Sequence, residues 1–478
     1  MFRIILGIVV FIVFVGCSTK LPTDAEITQK IPQEFANQSI LEQISKQNRT
    51  QEILPPQEQI KILFDDEVFN ELVEIAIKQN MDLQIAKARI LQARSQLKSA
   101  WGELFPQVSA NLSATDSHSR GNSSSLNGSS IVESSSQNTQ IGATLSWEVD
   151  LFGRLNAAKN AQESFYYQSL EDLSNAQITL LGDLANLYFT LRETSLNIVL
   201  TKENILYYQD ILELTRLKVE NGLLDSTELF DAQDMLTDEQ NTLEQLKTLQ
   251  EETKNALLVL LDIKNLPFNL VGNYHFVIPN NFSLQTTPAD VLLFRPDIKA
   301  SIQSLYAQVY TKANAKASLF PILSLSADLS DVLGSSEGNA GNLAWSLAAS
   351  LVAPILNRTQ LTQNYFLQDA ILQETYLTLQ KNLNTALGEI ENAIFNTKST
   401  ELQTQNNQQR LENAKSYYEF SANRRSIGLI DELEHLTNKA SLNNSQKNLN
   451  TSKNSQLQAI IVLFKAFGGN FYLSKEAK

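Results

Sequence analysis

Leu104-Phe105-Pro106 recurs as Leu319-Phe320-Pro321, and the same offset relates Asp82 to Asp297, so the segments before the two triplets align without a gap. Both segments carry apolar residues at three- and four-residue steps, the mark of an amphipathic helix. Each helix must end near its triplet, because a proline excludes the residue before it from the helical region. After each triplet comes a stretch of strict apolar–polar alternation, a polar loop and a second alternating stretch. A very long helical pattern then follows, over 155–220 and again over 359–426. Asn221-Gly222 stops the first and Ile427-Gly428 the second, and each is followed by a return helix, over 226–263 and 431–467. A chain that repeats in this way folds as one unit used twice.

In the first hairpin, 104–150, Val108, Ala110, Leu112 and Ala114 alternate with Ser109, Asn111, Ser113 and Thr115. On the return strand Ile141, Ala143, Leu145, Trp147 and Val149 share one face. Successive strand side chains point to opposite faces, so each strand has an apolar and a polar side. The second hairpin, 319–353, has Leu323, Leu325, Ala327 and Leu329, then Leu343, Trp345, Leu347, Ala349 and Leu351. Strands of about ten residues suit a membrane β-barrel as well as a soluble sheet. The polar segments 116–139 and 331–342 read as solvated loops.

The long helices decide between those alternatives. Residues 155–220 hold no Pro and only Gly182, and Leu180, Leu184, Leu187, Leu191 and Ile198 form a coiled-coil-like seam. At 1.5 Å per residue such a rod is roughly 100 Å long and needs neighbouring rods against its seam. Four strands cannot close a barrel, and open edges are not tolerated in lipid. A symmetric oligomer, with a pooled strand barrel continuous with a helical tube, meets both needs.

At the N-terminus, Arg3 precedes an apolar run from Ile4 to Val15 and then Gly16-Cys17-Ser18. The run is too short to span a bilayer and right for a signal peptide, residues 1–16. Residues 17–67 read as an extended lead segment that must lie on something else. The first repeat is 68–263. A link follows over 264–294, with β-like pieces such as His275-Phe276-Val277-Ile278. The second repeat is 295–467, opened by Pro296 in a helical first turn, and a tail covers 468–478. The chain carries 38 basic against 52 acidic residues, so a basic nucleic-acid surface is not expected. One Cys and three His exclude a multi-Cys/His metal site, and no cofactor motif is present. His118, His275 and His435 are far apart and expected at the surface, and no catalytic constellation emerges.

With these residues in view, the sequence resembles the TolC-type outer-membrane efflux channels, most closely the lipoprotein branch serving tripartite RND-type pumps. The carriers are Trp147-Glu148-Val149-Asp150-Leu151-Phe152-Gly153-Arg154, Arg295-Pro296-Asp297-Ile298 and Leu319-Phe320-Pro321. Pro354-Ile355-Leu356-Asn357-Arg358 lacks the Gly that usually follows that Pro, which predicts a tighter second strand-to-helix turn. The resemblance implies a mixed α and β membrane protein. It would be a homotrimer with a 12-stranded transmembrane β-barrel, four strands per chain, on a periplasmic α-helical barrel. It implies lipid on Cys17, a periplasmic adaptor and an inner-membrane pump as partners, and adaptor docking at the Gly222 and Gly428 turns.

Asp431, Glu434 and His435 fall on one helical face, with Arg424 and Arg425 just before Gly428. By resemblance this is the periplasmic constriction, so Asp431, Glu434, Arg424 and Arg425 are the gate candidates. Asp225, Glu228 and Asp231 hold the corresponding places in the first half. A different reading of the same helices is a periplasmic coiled-coil lipoprotein acting as adaptor or tether, which needs no lipid-facing strands.

Overall fold

A computed structural model describes residues 20–45, 54–125, 128–269, 274–279, 282–284, 287–335 and 343–473. The chain forms two compact units. One contains 89–169 and 301–379 with the described residues up to Thr23; the other contains 24–88, 170–300 and the chain from 380 onward.

The first unit is built on a four-stranded antiparallel sheet in the order β1-β2-β4-β5. Its strands are β1 (Gln107–Ser125), β2 (Gly128–Val149), β4 (Ile322–Ser335) and β5 (Leu343–Val352). The register aligns the apolar positions of all four. Ala110 faces Ala143, Ala143 faces Leu329, and Leu329 faces Trp345. Leu145, Ala327 and Leu347 make the next such row. Because the side-chain period is two, this registration gathers the alternating large apolar residues on one face, while Ile322 and Val352 at one end of the β4–β5 pair lie on the other. The apolar face is bare: Trp345 is 77% exposed and Leu347 76%. Across the opposite face, Asp328 accepts hydrogen bonds from Thr144 (2.8 Å) and Ser346 (3.3 Å), linking three strands.

Residues 116–139 are not a loop. The β1–β2 ladder continues without a slip to Ser125 opposite Gly128, whereas β4 accompanies β2 only as far as Asn138. Ser, Asn and Gly suggest turns because of their local hydrogen bonding and backbone freedom. In a hairpin, however, the backbone groups of paired strands satisfy each other whatever the side chains are. The corresponding part of 331–342 beyond Ser335 lies outside the described residues.

The second unit is helical. The expected extended lead segment instead contains three short helices, α1 (Asp24–Thr28), α2 (Gln38–Ile44) and α3 (Pro56–Phe64). Each lies on the body through a few buried apolar residues, Ile27, Leu41 and Ile60 among them. The helical pattern after 68 breaks once, between α4 (Glu67–Gln79) and α5 (Met81–Gly102). Asn80 makes the break. Its side chain accepts from Leu83 N–H (3.0 Å) and donates to the Leu260 carbonyl (2.9 Å). The link 264–294 also differs from expectation. His275–Ile278 form no strand, β3 is Phe282–Ser283, and Pro288–Phe294 form a helix, α8. β3 pairs with β6 (Tyr472–Leu473), whose partner so late in the chain no local pattern could reveal.

The remaining helices are α6 (Arg154–Glu220), α7 (Ser226–Leu261), α9 (Pro296–Ala317), α10 (Arg358–Ser426) and α11 (Glu432–Ala466). α6 has 67 residues and α10 has 69. On α6, Leu180, Leu184, Leu191 and Ile198 are buried. An aromatic group of Phe64, Phe69, Tyr188 and Phe189 packs edge-to-face and stacked beside them. Arg192 lies 4.5 Å from the Phe268 ring centre and 4.8 Å from that of Tyr274. Asp66 accepts from the hydroxyls of Tyr188 (2.9 Å) and Tyr274 (3.1 Å) while also capping α4. Burial above all pushes both phenols well above their ordinary range; the Asp66 charge adds to it at Tyr188, and the Tyr188 charge and then that of Asp66 add to it at Tyr274. On α10, Glu391 receives the backbone N–H groups of Ala36 and Asn37 and the Asn37 amide, holding the lead segment down.

Candidate functional site

Two places gather the candidate residues, the corner where strand becomes helix and the pair of glycine turns. At the corner, Glu148 and Arg154 form a two-toothed ion pair (2.9 and 2.7 Å) across the turn. A planar guanidinium and a carboxylate match in this geometry, which fixes orientation as well as distance. Asp150 accepts from the N–H groups of Leu155 and Asn156, satisfying donors that the start of α6 leaves open. Gly153 takes a left-handed φ of 74°. Trp147 donates from Nε1 to the Leu104 carbonyl (3.0 Å), and Phe152 stacks on Phe320 with ring centres 4.9 Å apart. One motif therefore ties both Leu-Phe-Pro corners together. The second strand-to-helix turn is not tighter: residues 353–357 separate β5 from α10, one more than the 150–153 that separate β2 from α6. Without a Gly to adopt positive φ, the chain uses a longer path, and Leu356 is fully exposed on it.

Both glycine turns are Schellman caps. Gly222 has φ 69°, with Leu223 N–H bonded to the Lys218 carbonyl and Gly222 N–H to that of Val219. Gly428 has φ 74°, and Leu429 and Gly428 make the equivalent bonds to Arg424 and Arg425. Asp225 caps α7 through Thr227, and Asp431 caps α11 through the Glu434 N–H (2.9 Å). Asp431 also forms an ion pair with Lys218, at the far end of α6. The backbone bond first and the Lys218 ammonium second hold its carboxyl below the usual range.

The expected gate residues are thus gathered only in part. Asp431 meets Lys218, which sequence reasoning missed. Lys218 stands four positions before Gly222 as Arg424 does before Gly428, so aligning the two turns would have exposed it. Arg425 pairs with Glu432, a residue outside the expected set, and Arg424 lies over the Phe420 ring at 6.0 Å. Glu434 is exposed and offers its backbone, while Glu228 and Asp231 are exposed. His118 and His275 are exposed, but His435 is not at the surface: it is 7% exposed and stacks on Tyr418 at 5.3 Å. Its place at i+4 from the Asp431 cap turns it inward, onto α10. Cys17 lies outside the described residues.

The four-stranded sheet is amphipathic, and among the described residues its edge strands β1 and β5 have no further partner. No helix among the described residues is long and apolar enough to cross a membrane. The family of outer membrane efflux proteins matches over residues 72–261 and 287–469, and the chain belongs to that family. Among curated relatives, the solvent efflux pump outer membrane protein SrpC of Pseudomonas putida is 26% identical over 424 residues, covering 87% of this chain and 88% of SrpC. The antibiotic efflux pump outer membrane protein ArpC of Pseudomonas putida is 26% identical, with 86% and 84% covered. Among solved structures, the outer-membrane channel OprN superposes with a TM-score of 0.79 at 21% identity, over 95% of this chain and 99% of OprN. The Campylobacter jejuni CmeC outer membrane channel does so with a TM-score of 0.73 at 26% identity, over 91% and 93%.

Proposed function

We propose that this protein is the outer-membrane exit duct of a tripartite efflux system. It conducts substrates passively from a periplasmic adaptor and an inner-membrane pump to the outside. Three copies close a twelve-stranded barrel, β5 of one against β1 of the next, and their helices form a tube below it. The two repeats, 68–263 and 295–467, supply the strands and helices in pairs, and lipid on Cys17 adds a second attachment to the membrane. The Gly222 and Gly428 turns receive the adaptor, and the charged groups around them close the tube at rest.

One observation carries this reading: among the described residues the sheet has one apolar face that the chain leaves largely uncovered and two edge strands without a partner. Leaving side chains such as Leu347 in water forfeits about 1.5–3 kcal/mol each, so the face belongs against lipid. Unpaired backbone groups cannot stand in lipid, so the edges belong against other copies. A periplasmic tether needs neither. Purified protein should form trimers that conduct in planar bilayers; trimers that never open a pore would sink the reading.

A further inference from the structure

α11 meets α6 through an apolar cluster near the glycine turns, where Leu436 packs with Ile211 of α6 and Ala232 of α7, and through a series of polar pairs along the rest of its length. The partners step in opposite directions along the two helices. At the inner end α11 passes so close to Gly182 that a Cβ there would stand 2.5 Å from the Lys465 side chain. Gln458 then bonds Thr190, Asn454 bonds Glu193 (2.7 Å), Asn450 bonds Asn197 (3.0 Å) and Asn444 bonds Asn204 (3.0 Å). Among them Lys447 forms an ion pair at 2.7 Å with Glu239 of α7, which also accepts from Asn204. This pair ties α11 to α7 where the tip pair, Lys218–Asp431, ties it to α6.

The two pairs differ in exposure. The side chains of Glu239 and Lys447 are 11% and 16% exposed; those of Asp431 and Lys218 are 51% and 29%. Dissolved salt screens the exposed pair and barely reaches the buried one. Sixteen residues of α11 separate them, about 24 Å at the helical rise. Two buried acceptors of the polar seam, Asn204 Oδ1 and Asn454 Oδ1, lack a partner among the described residues, so its hydrogen bonds are not saturated.

We propose that Glu239 and Lys447, with Asn204 and Asn444, form a second, buried latch. It holds α11 in the closed position in series with the exposed latch at the tip. The inference rests on the duct reading and adds to it a positioning pair that salt cannot release.

Conductance of the full-length trimer in planar bilayers tests it, at low and at molar salt. The neutral double variant Glu239→Gln/Lys447→Met should raise the open fraction at least about fivefold at both salt levels. The exchanged pair Glu239→Lys/Lys447→Glu should return it toward that of the parent. Asp431→Asn should raise it at low salt only, since salt already releases the tip pair in the parent. A neutral double variant that opens no more than the parent, while Asp431→Asn does, overturns the buried latch and leaves the tip as the gate. Trimers in which neither variant changes a measurable pore overturn both latches, and trimers without any pore overturn the duct itself. Should the double variant fail to assemble, Asn204→Cys/Asn444→Cys joined by a short reversible thiol crosslinker gives the converse test. Joining must close the pore and reductant must reopen it; opening that ignores the bridge overturns the proposal.

Discussion

Single side chains at the corners and turns do work that their exposure alone would not suggest. Glu148 and Arg154 are both about three-quarters covered and mutually satisfied. Replacing Glu148 with Gln leaves the guanidinium half-paired and should cost about 1–3 kcal/mol, read as a lower denaturation midpoint of the assembled protein. Asp431 gives a pH signature. Its carboxyl is held below the ordinary 3.8, so its contribution is complete above that value and is lost as the pH falls through the lowered one. The difference in hydrogen exchange at the start of α11 between parent and Asp431→Asn should therefore stay constant from about pH 8 to pH 5 and shrink below about pH 4. A difference that vanished near neutral pH would assign the effect to another group. At this scale the sequence was readable where chemistry is local. Trp147 to Arg154 could be recognised as a corner because the Glu148–Arg154 pair and the Asp150 cap are closed within the motif and its first helical turn. The Lys218–Asp431 pair joins residues from the two halves, and only the alignment of the two glycine turns points to Lys218.

Elements were legible in proportion to their length and periodicity. The two long helices and their glycine stops follow from uninterrupted patterns and from the left-handed φ that only Gly adopts without cost. No atom lies within 4 Å of where a Cβ would stand on Gly222 or Gly428. The penalty for Gly222→Ala is therefore conformational alone, about 1 kcal/mol, and should appear as faster amide exchange in the last turn of α6 with the trimer intact. The hairpin's outer half was misread because its Ser and Asn content mimics a loop, while the pairing that makes it a ladder lies in the backbone. The short helices of the lead segment were missed for the opposite reason. With five, seven and nine residues they have too few turns for a period, and they exist because the body behind them buries Ile27 of α1, Leu41 of α2 and Gln59, Ile60, Leu63 and Phe64 of α3.

For the whole molecule, the repeat told most about what a single copy lacks. Its apolar sheet face and open edges are deficits that neither half can supply to the other, since β2 already pairs with β4. Leu347→Arg places a charge midway along β5 on the apolar face, where a lipid-facing arginine costs about 2–4 kcal/mol. Membrane-inserted trimer should fall accordingly while helix content is retained, measured by fractionation and circular dichroism. Ser346→Arg, one position along, points to the other face and should insert nearly as the parent does. Equal loss in both variants would contradict the assignment of faces.

The β1–β2 ribbon beyond Asn138 has a practical consequence. Over the ten steps from Thr115 to Ser125, about 33 Å of strand, its backbone is paired within the hairpin and, as far as Gly121, β1 turns every side chain to solvent. Such a ribbon is a mast rather than a wall, since the sheet below does not depend on what it carries. On the duct reading proposed above the ribbon faces outside the cell, and a foreign peptide spliced between Ser125 and Gly128 should then be accessible to antibody on intact cells, a use as a display scaffold.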